Sequence, residues 1–544
     1  MSAEVSNSSD SVVMGVMGAE KAPDEIEPTA EELNTLECIS DRIPLTAWMI
    51  VVCEFCERFA FYGMSGPFQN YIQFPVPGPN DEQPGALGRG QRTATSLTTF
   101  FQFFCFLTPI AGAIVADQFW GKYKTIFAAC IVYIIGLIIL VLTSIPPSIQ
   151  SGLALPGLIV AMIVIGVGTG GVKSNVSPLM ADQYTRKTPI VKEINGKKKI
   201  IDPKITMQSL FNWFYWGINL GALSAILTTS IEKHHSFWLA YLIPLIVFIG
   251  TILVLFVGRH KYIRGPPTGS LLIRAFHVIR AALRLRWKLG RQEHIKHFLD
   301  YAKEEEEAST KTDQFIDDLK QAIHVCRVFA FYPFYTVCYN QLMGNLVSQA
   351  AQMNVGSLPN DILQNIDPLV LIIFIPLFDK VIYPLLRRCR INFKSTIRIT
   401  CGFLLASASM AWTAFVQHLI YSTGPNYSFT QTPCPTCQKY NDISVAWQIP
   451  SYFLIAISEI FAQITGLEYA YTHAPASMKS IVLSMFLLTT AIGSALNFAL
   501  VPITVNPKLM WMYASLSIVS FLVGIVFYIV FRKEDSQIKP TTPE

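Results

Sequence analysis

The chain is 544 residues long, 51% hydrophobic and only 15% charged, with a mean hydropathy of +0.40. A soluble chain carries about 25% charged residues, so a soluble multidomain protein is excluded, and about twelve spans of roughly 20 apolar residues would fill near half the length. The net charge of +5 is too small a surplus to imply a nucleic-acid partner. Residues 1–44 are polar, with acids at Glu20, Asp24, Glu25, Glu27, Glu31 and Glu32. They lack the basic and apolar regions of a signal peptide. A disordered cytoplasmic tail is expected there, followed by a first span acting as an uncleaved anchor.

Apolar windows predict spans near 45–74, 93–116, 124–143, 154–183, 205–228 and 235–257. A polar linker, 258–325, separates them from six more near 326–353, 365–388, 395–419, 446–473, 480–502 and 508–531. Residues 533–544 form a second cytoplasmic tail. Windows longer than 25 residues imply helices that tilt or extend past the hydrocarbon. The expected fold is therefore an all-α polytopic membrane protein with twelve transmembrane helices in two six-helix bundles, 45–257 and 326–532. That is the layout of the major facilitator superfamily, in which substrate binds between the halves near the midplane.

Basic residues orient the chain. Arg186, Lys187, Lys192, Lys197, Lys198, Lys199 and Lys204 follow the fourth span, and Arg387, Arg388, Arg390 and Lys394 follow the eighth. The linker adds Arg274, Arg280, Arg284, Arg286 and Lys288, whereas 144–153 and 354–364 contain no Lys or Arg. The first loop, with Arg89 and Arg92 near the second span, is the weakest voter. The positive-inside rule places the basic loops and both termini in the cytoplasm. Residues 420–445 then lie outside, with the sequon Asn426-Tyr427-Ser428 and the pair Cys434 and Cys437. Zinc would need two further ligands, so a disulfide is favoured if that loop is extracellular. Most other cysteines sit in apolar runs as small hydrophobes. Within the linker, 273–298 is a basic amphipathic helix expected at the cytoplasmic lipid boundary, and 304–307 reads as a solvated acidic face.

Charges inside a membrane are costly and face a cavity or a partner. Glu54, Glu57 and Arg58 share one face of the first span, at i, i+3 and i+4. One guanidinium leaves a carboxylate over, so a second cation or a proton is needed; a static buried ion pair leaves that carboxylate unexplained. On the fourth span Gly166, Gly168, Gly170 and Gly171 precede Lys173. Their spacing is not that of a phosphate loop and no strand precedes them. In a membrane helix they admit a neighbouring backbone, which is expected to bring Lys173 against the first-span acids. In the second half Glu459 stands out on the tenth span, while Glu468 lies nearer the cytoplasmic end and can pair locally. Asp367 precedes Pro368 at the start of the eighth span, as a helix cap or as a cavity acid. Cations on one half and acids on the other suit a zwitterion: an amino acid, a peptide or a drug-like zwitterion all fit.

Three ordered motifs carry a family resemblance. Glu54-x-x-Glu57-Arg58-Phe59-x-Phe61-Tyr62 resembles the ExxERFxYY motif of the proton-dependent oligopeptide transporters, the POT or PTR family. Gly168-Thr-Gly-Gly-Val-Lys173 with Asp182-Gln-Tyr184, and Phe214-Tyr-Trp-Gly-Ile-Asn219-Leu-Gly221, resemble its fourth- and fifth-span signatures. Asn345-Leu-Val-Ser-Gln349 and Gly265-Pro-Pro look like the fungal di- and tripeptide permeases. The likeness runs from about residue 45 to 530. It implies a proton-coupled symporter that imports di- and tripeptides by alternating access, with no cofactor, metal or enzymatic activity, working as a monomer in the plasma membrane. Glu54, Glu57, Arg58 and Lys173 would couple protons. Peptide would be bound by Arg58, Lys173, Tyr62, Asn219, Glu459 and Asp367, with Glu459 on its amino terminus.

Several positions depart from the family pattern: Phe61 and Phe106 where tyrosines are usual, Ser65 for an arginine, Thr99 for the metazoan histidine and Thr336 for a tryptophan. Asn340 and Gln341 stand where some members have an acid, and Asp367 where some have asparagine. These changes bear on substrate range. The nearest alternative is a same-family transporter of nitrate or an amino acid, although nitrate-specialised relatives lack an intact ExxER. A non-transporting nutrient receptor is the alternative of another class.

Overall fold

The computed structural model describes residues 28–532 except 30, 31, 33, 34, 79–82, 195, 268, 290–296, 304–309, 357, 390–393, 430–439, 476 and 477. Most of the N-terminal tail, the 533–544 tail, the 304–307 acidic run, and Cys434 and Cys437 lie outside the described residues. The first half contributes α1 (Leu45–Ser65), α2 (Gly90–Val115), α3 (Lys122–Thr143), α4 (Ala154–Lys173), α5 (Pro203–Ala222) and α6 (Phe237–Val257). The second contributes α7 (Tyr332–Tyr339), α8 (Ile366–Leu377), α9 (Ser395–Ser422), α10 (Ile449–Glu459), α11 (Lys479–Asn497) and α12 (Leu509–Phe531). Several continue past a local break, α5 through Ser224–His234 and α10 through Thr465–His473.

Among the described residues, nine of these helices with their continuations are long and apolar enough to cross a membrane. The three that fall short are α1, α7 and α8. Glu54, Glu57 and Arg58 lower the apolarity of α1. The span expected at 326–353 is interrupted: α7 ends at Tyr339 and helix resumes only at Asn345–Ala350. Side chains in the gap take up hydrogen bonds that would otherwise favour a continuous helix. Gln341 Nε2 donates to the Val337 carbonyl at 2.8 Å and to Asn497 Oδ1 at 2.9 Å. Near Pro376, α8 passes into a wide turn at Phe378–Ile382 before Tyr383–Arg388.

Burial follows the helical period. On α3 Ile131, Ile135, Ile138 and Leu142 are exposed at three- and four-residue intervals, while Cys130, Tyr133, Leu137 and Leu140 are buried. Such an apolar outer stripe suits hydrocarbon rather than water. The buried apolar residues form separate clusters, one within Ala47–Tyr262 and another within Ala275–Phe531. Small residues set the helix spacing in the first half. A Cβ on Gly112 of α2 would collide with the Gly170 carbonyl of α4, and one on Gly168 would lie 2.8 Å from the Tyr133 backbone nitrogen of α3. Overpacking of this kind costs about 1–3 kcal/mol.

The basic loop after α4 is not featureless. It forms a hairpin of β2 (Ile190–Ile194) and β3 (Lys197–Ile201), and β1 (Cys38–Ile39) pairs parallel to β3 with Cys38 opposite Ile200. Within residues 1–44, expected to be disordered, Cys38 and Ile39 thus form a strand. The strand is fixed by the Ile200 amide donating to the Glu37 carbonyl at 3.0 Å, and by Lys199 pairing with Glu37 at 2.7 Å. In the linker, the helix expected over 273–298 is found as Leu271–Leu289, with 290–296 outside the described residues and Phe298 starting a short 3-10 turn. Ala275 and Ala282 are buried in the second half's core, while Phe276, Leu283 and Trp287 are exposed.

Candidate functional site

Helical spacing on α1 gathers Glu54, Glu57 and Arg58 at one buried point. Arg58 Nε lies 3.2 Å from Glu54 Oε1, and the guanidinium also contacts Glu57. Glu57 is fully enclosed and its Oε1 has no hydrogen-bond partner. The single guanidinium thus serves two carboxylates and leaves one acceptor unfilled. On α5, Gly221 allows this packing, since a Cβ there would sit 2.8 Å from the Arg58 Cβ.

Arg58 also lines a cavity of about 1080 Å³, measured to its open mouth, between the two halves. Tyr62 and Lys173 line it from the first half, and Glu459 from the second. Lys173 comes near enough to Glu54 and Glu57 to act on them electrostatically, although among the described residues no carboxylate lies within ion-pair distance of it. The glycines of α4 close on α2 and α3 rather than on α1, so the lysine meets an α2 side chain. Its Nζ lies 3.4 Å from the centroid of the Phe106 ring, well inside the range of a cation–π contact. Phe106, which lacks the hydroxyl usual at that position, supports the ammonium with its face.

A second chamber of about 700 Å³ shares Tyr62, Tyr339 and Glu459 with the first and adds Asn219 and Asp367. Asn219 donates to the Tyr215 carbonyl at 2.9 Å. Asp367 is placed as a cavity acid rather than a cap. Its Oδ2 accepts from the Tyr339 hydroxyl at 3.3 Å, and its carboxyl adjoins that of Glu459. Asp367 Oδ1 and Glu459 Oε2 have no hydrogen-bond partner. Glu468 stays outside this group and pairs with Arg398 at 3.0 Å. Tyr339 is the member that sequence reasoning passed over; its i+4 spacing from Tyr335 on a broken polar helix was the available signal.

The cavity is shut at the end away from β1–β3. There Gln69 Nε2 donates to Ser348 Oγ at 2.9 Å, Thr95 Oγ1 to Asn345 Oδ1 at 3.1 Å, and Asn497 Nδ2 to Thr99 Oγ1 at 3.0 Å. Thr99, at the metazoan histidine position, thus ties α2 to α11 across the divide. These bonds across the divide all lie at that one end.

Two helical halves, fastened at one end over a cavity with cations on one wall and carboxyls on the other, define a multi-pass membrane transporter of the major facilitator fold, not an enzyme. The profile of the POT family matches residues 123–536, and the chain belongs to that family. It is 47% identical over 512 residues to the probable peptide transporter ptr2 of Schizosaccharomyces pombe, covering 94% of this chain and 81% of that protein. It is 42% identical over 510 residues to the peptide transporter PTR2 of Saccharomyces cerevisiae, covering 93% and 82%. Among solved structures, an auto-inhibited POT family peptide transporter superimposes with a TM-score of 0.72 at 22% identity, over 92% of this chain and 99% of that one.

Proposed function

We propose that this chain is a proton-coupled symporter that imports di- and tripeptides across the plasma membrane as a monomer, with both termini cytoplasmic and protons as its only coupling partner. One observation carries the reading: Arg58 and Lys173 face the cavity from one half, while Glu459 and Asp367 face it from the other. A peptide is a zwitterion whose charges sit at its two ends, and two or three residues reach at most ~3.5 Å each. Its carboxylate meets Arg58 and Lys173, and its ammonium meets Glu459 and Asp367. Tyr62 and Asn219 contact the backbone between them. Before peptide arrives, Arg58 is held by Glu54 and Glu57. A proton on either carboxyl weakens that hold and frees the guanidinium for the peptide carboxylate. Names of relatives as peptide transporters point the same way.

The test is uptake of labelled dipeptides into proteoliposomes at two pH values, with and without an imposed proton gradient. Accumulation above the external concentration is expected only when the outside is more acidic. Unlabelled di- and tripeptides compete, and nitrate and single amino acids do not. Competition by nitrate, or accumulation without a gradient, overturns the reading.

A further inference from the structure

At the closed end, two carboxyls take no part in the cavity. Glu232, on the α5 continuation, and Asp361, ahead of α8, come from opposite halves and are only 4% and 0% exposed. Their carboxyls adjoin each other. Asn70, on the short helix Phe68–Gln73, donates from Nδ2 to Glu232 Oε1 at 2.8 Å and reaches Asp361 Oδ2 at 3.2 Å. Asn360 Nδ2 in turn donates to Asn70 Oδ1 at 2.9 Å. The two remaining carboxyl oxygens, Glu232 Oε2 and Asp361 Oδ1, are buried and receive no hydrogen bond.

One described cation, Lys233, acts electrostatically on the Asp361 carboxyl. The nearby Lys233 directs its ammonium to the Leu358 carbonyl at 2.6 Å and the Gly356 carbonyl at 3.4 Å. The other titratable neighbours are the phenols of Tyr241 and Tyr452, with Tyr71 packed edge-on to Tyr241. Two ionised carboxylates repel in so dry a place, and a proton on one both removes the repulsion and supplies the donor its neighbour lacks.

We propose that Glu232 and Asp361 form a second proton site, which binds its proton only when the two halves are closed over the extracellular end. The side it faces rests on the orientation proposed above. When the halves part, each carboxyl returns to water with its own half and to ordinary acidity, near 4. Closure therefore takes up about one proton, and opening returns it to the same side. This proton is not carried across the membrane; it tightens the outer gate as the outside acidifies. Burial pushes the Asp361 carboxyl up to about 7. The closed state binds more protons, so its share grows as pH falls through that region and shrinks as pH rises. The open-to-closed ratio changes by at most about tenfold per pH unit.

Double electron–electron resonance on the full chain in nanodiscs, without peptide, tests this. Spin labels are placed at Ser151 and Tyr427, which are exposed on the closed ends of the two halves. The short-distance population is expected to grow from pH 8 to pH 5 in the otherwise unaltered chain. In Asp361→Asn and in Glu232→Gln the distances should no longer follow pH. The two substitutions sit in different halves, so a folding failure in one leaves the other to be read. Distances that ignore pH in the unaltered chain, or a titration that survives both substitutions, overturn the proposal. Loss of peptide uptake beside an intact titration overturns the peptide reading and leaves the second proton site standing.

Discussion

The two walls of the cavity treat charge in opposite ways. On α1 the carboxyls of Glu54 and Glu57 already have a cation, Arg58, within the same helix. Across the cavity, among the described residues, Glu459 and Asp367 are partnered by each other and the Tyr339 hydroxyl. The first wall is a closed ion cluster that a proton can loosen. The second is an open pair of acceptors that a cation would complete. Buried polar groups are worth most when satisfied and cost most when not, so on the proposed reading the wall that lacks partners is the one that takes the ligand's ammonium.

The largest expected effect is on the first wall. Glu57→Gln, which removes a carboxyl that can take the proton, or Lys173→Ala, which removes the cavity's second cation, should reduce proton-driven dipeptide accumulation to background. Either variant still concentrating dipeptide in a gradient assay would remove coupling from this wall. On the second wall Glu459→Gln should raise the half-saturating concentration of peptides with a free amine about tenfold or more, the worth of a hydrogen bond to a charged group. N-acetylated analogues should be spared, and an equal loss for both would deny Glu459 its amine role. The smallest effect is at Phe106. Leucine there should weaken peptide binding only a few-fold, since an aromatic face contributes about 0.5–2 kcal/mol to a nearby cation. Tyrosine should retain most of it, and a Phe106→Leu chain indistinguishable from the parent would mean that the ring is packing alone.

Much of the fold was legible because membrane spans are written in apolar runs, and the exceptions to those runs marked α1, α4 and α10. What escaped has physical reasons. A helical wheel shows which residues of α1 share a face, but not which neighbour α4 turns its lysine towards; that depended on glycines closing on α2 and α3. The gap after Tyr339 was hidden because Leu342, Met343 and Leu346 keep the window apolar while Asn340 and Gln341 divert the backbone. Glu232 was missed because the fifth helix runs on to His234, past the apolar window ending at 228. Asp361 sits in a loop, where a lone acid carries no pattern. The basic loop after α4 was read only for the sign of its charges, although Ile190, Val191, Ile194, Ile200 and Ile201 are the β-branched residues that strands favour.

The parallel edge strand β1 has a mechanical consequence. By pairing with β3, residues 38 and 39 lash the start of α1 to the loop between α4 and α5. Three helices of the first half are thereby coupled at their base, so a tilt of that half moves α1, with Arg58 upon it, as part of one lever. A shortened chain beginning after Ile39 would leave the backbone amides of Ile200 and Asp202 without the carbonyls of Glu37 and Ile39. Such a chain would keep every residue of the cavity and lose the stiffness of the arm that swings it.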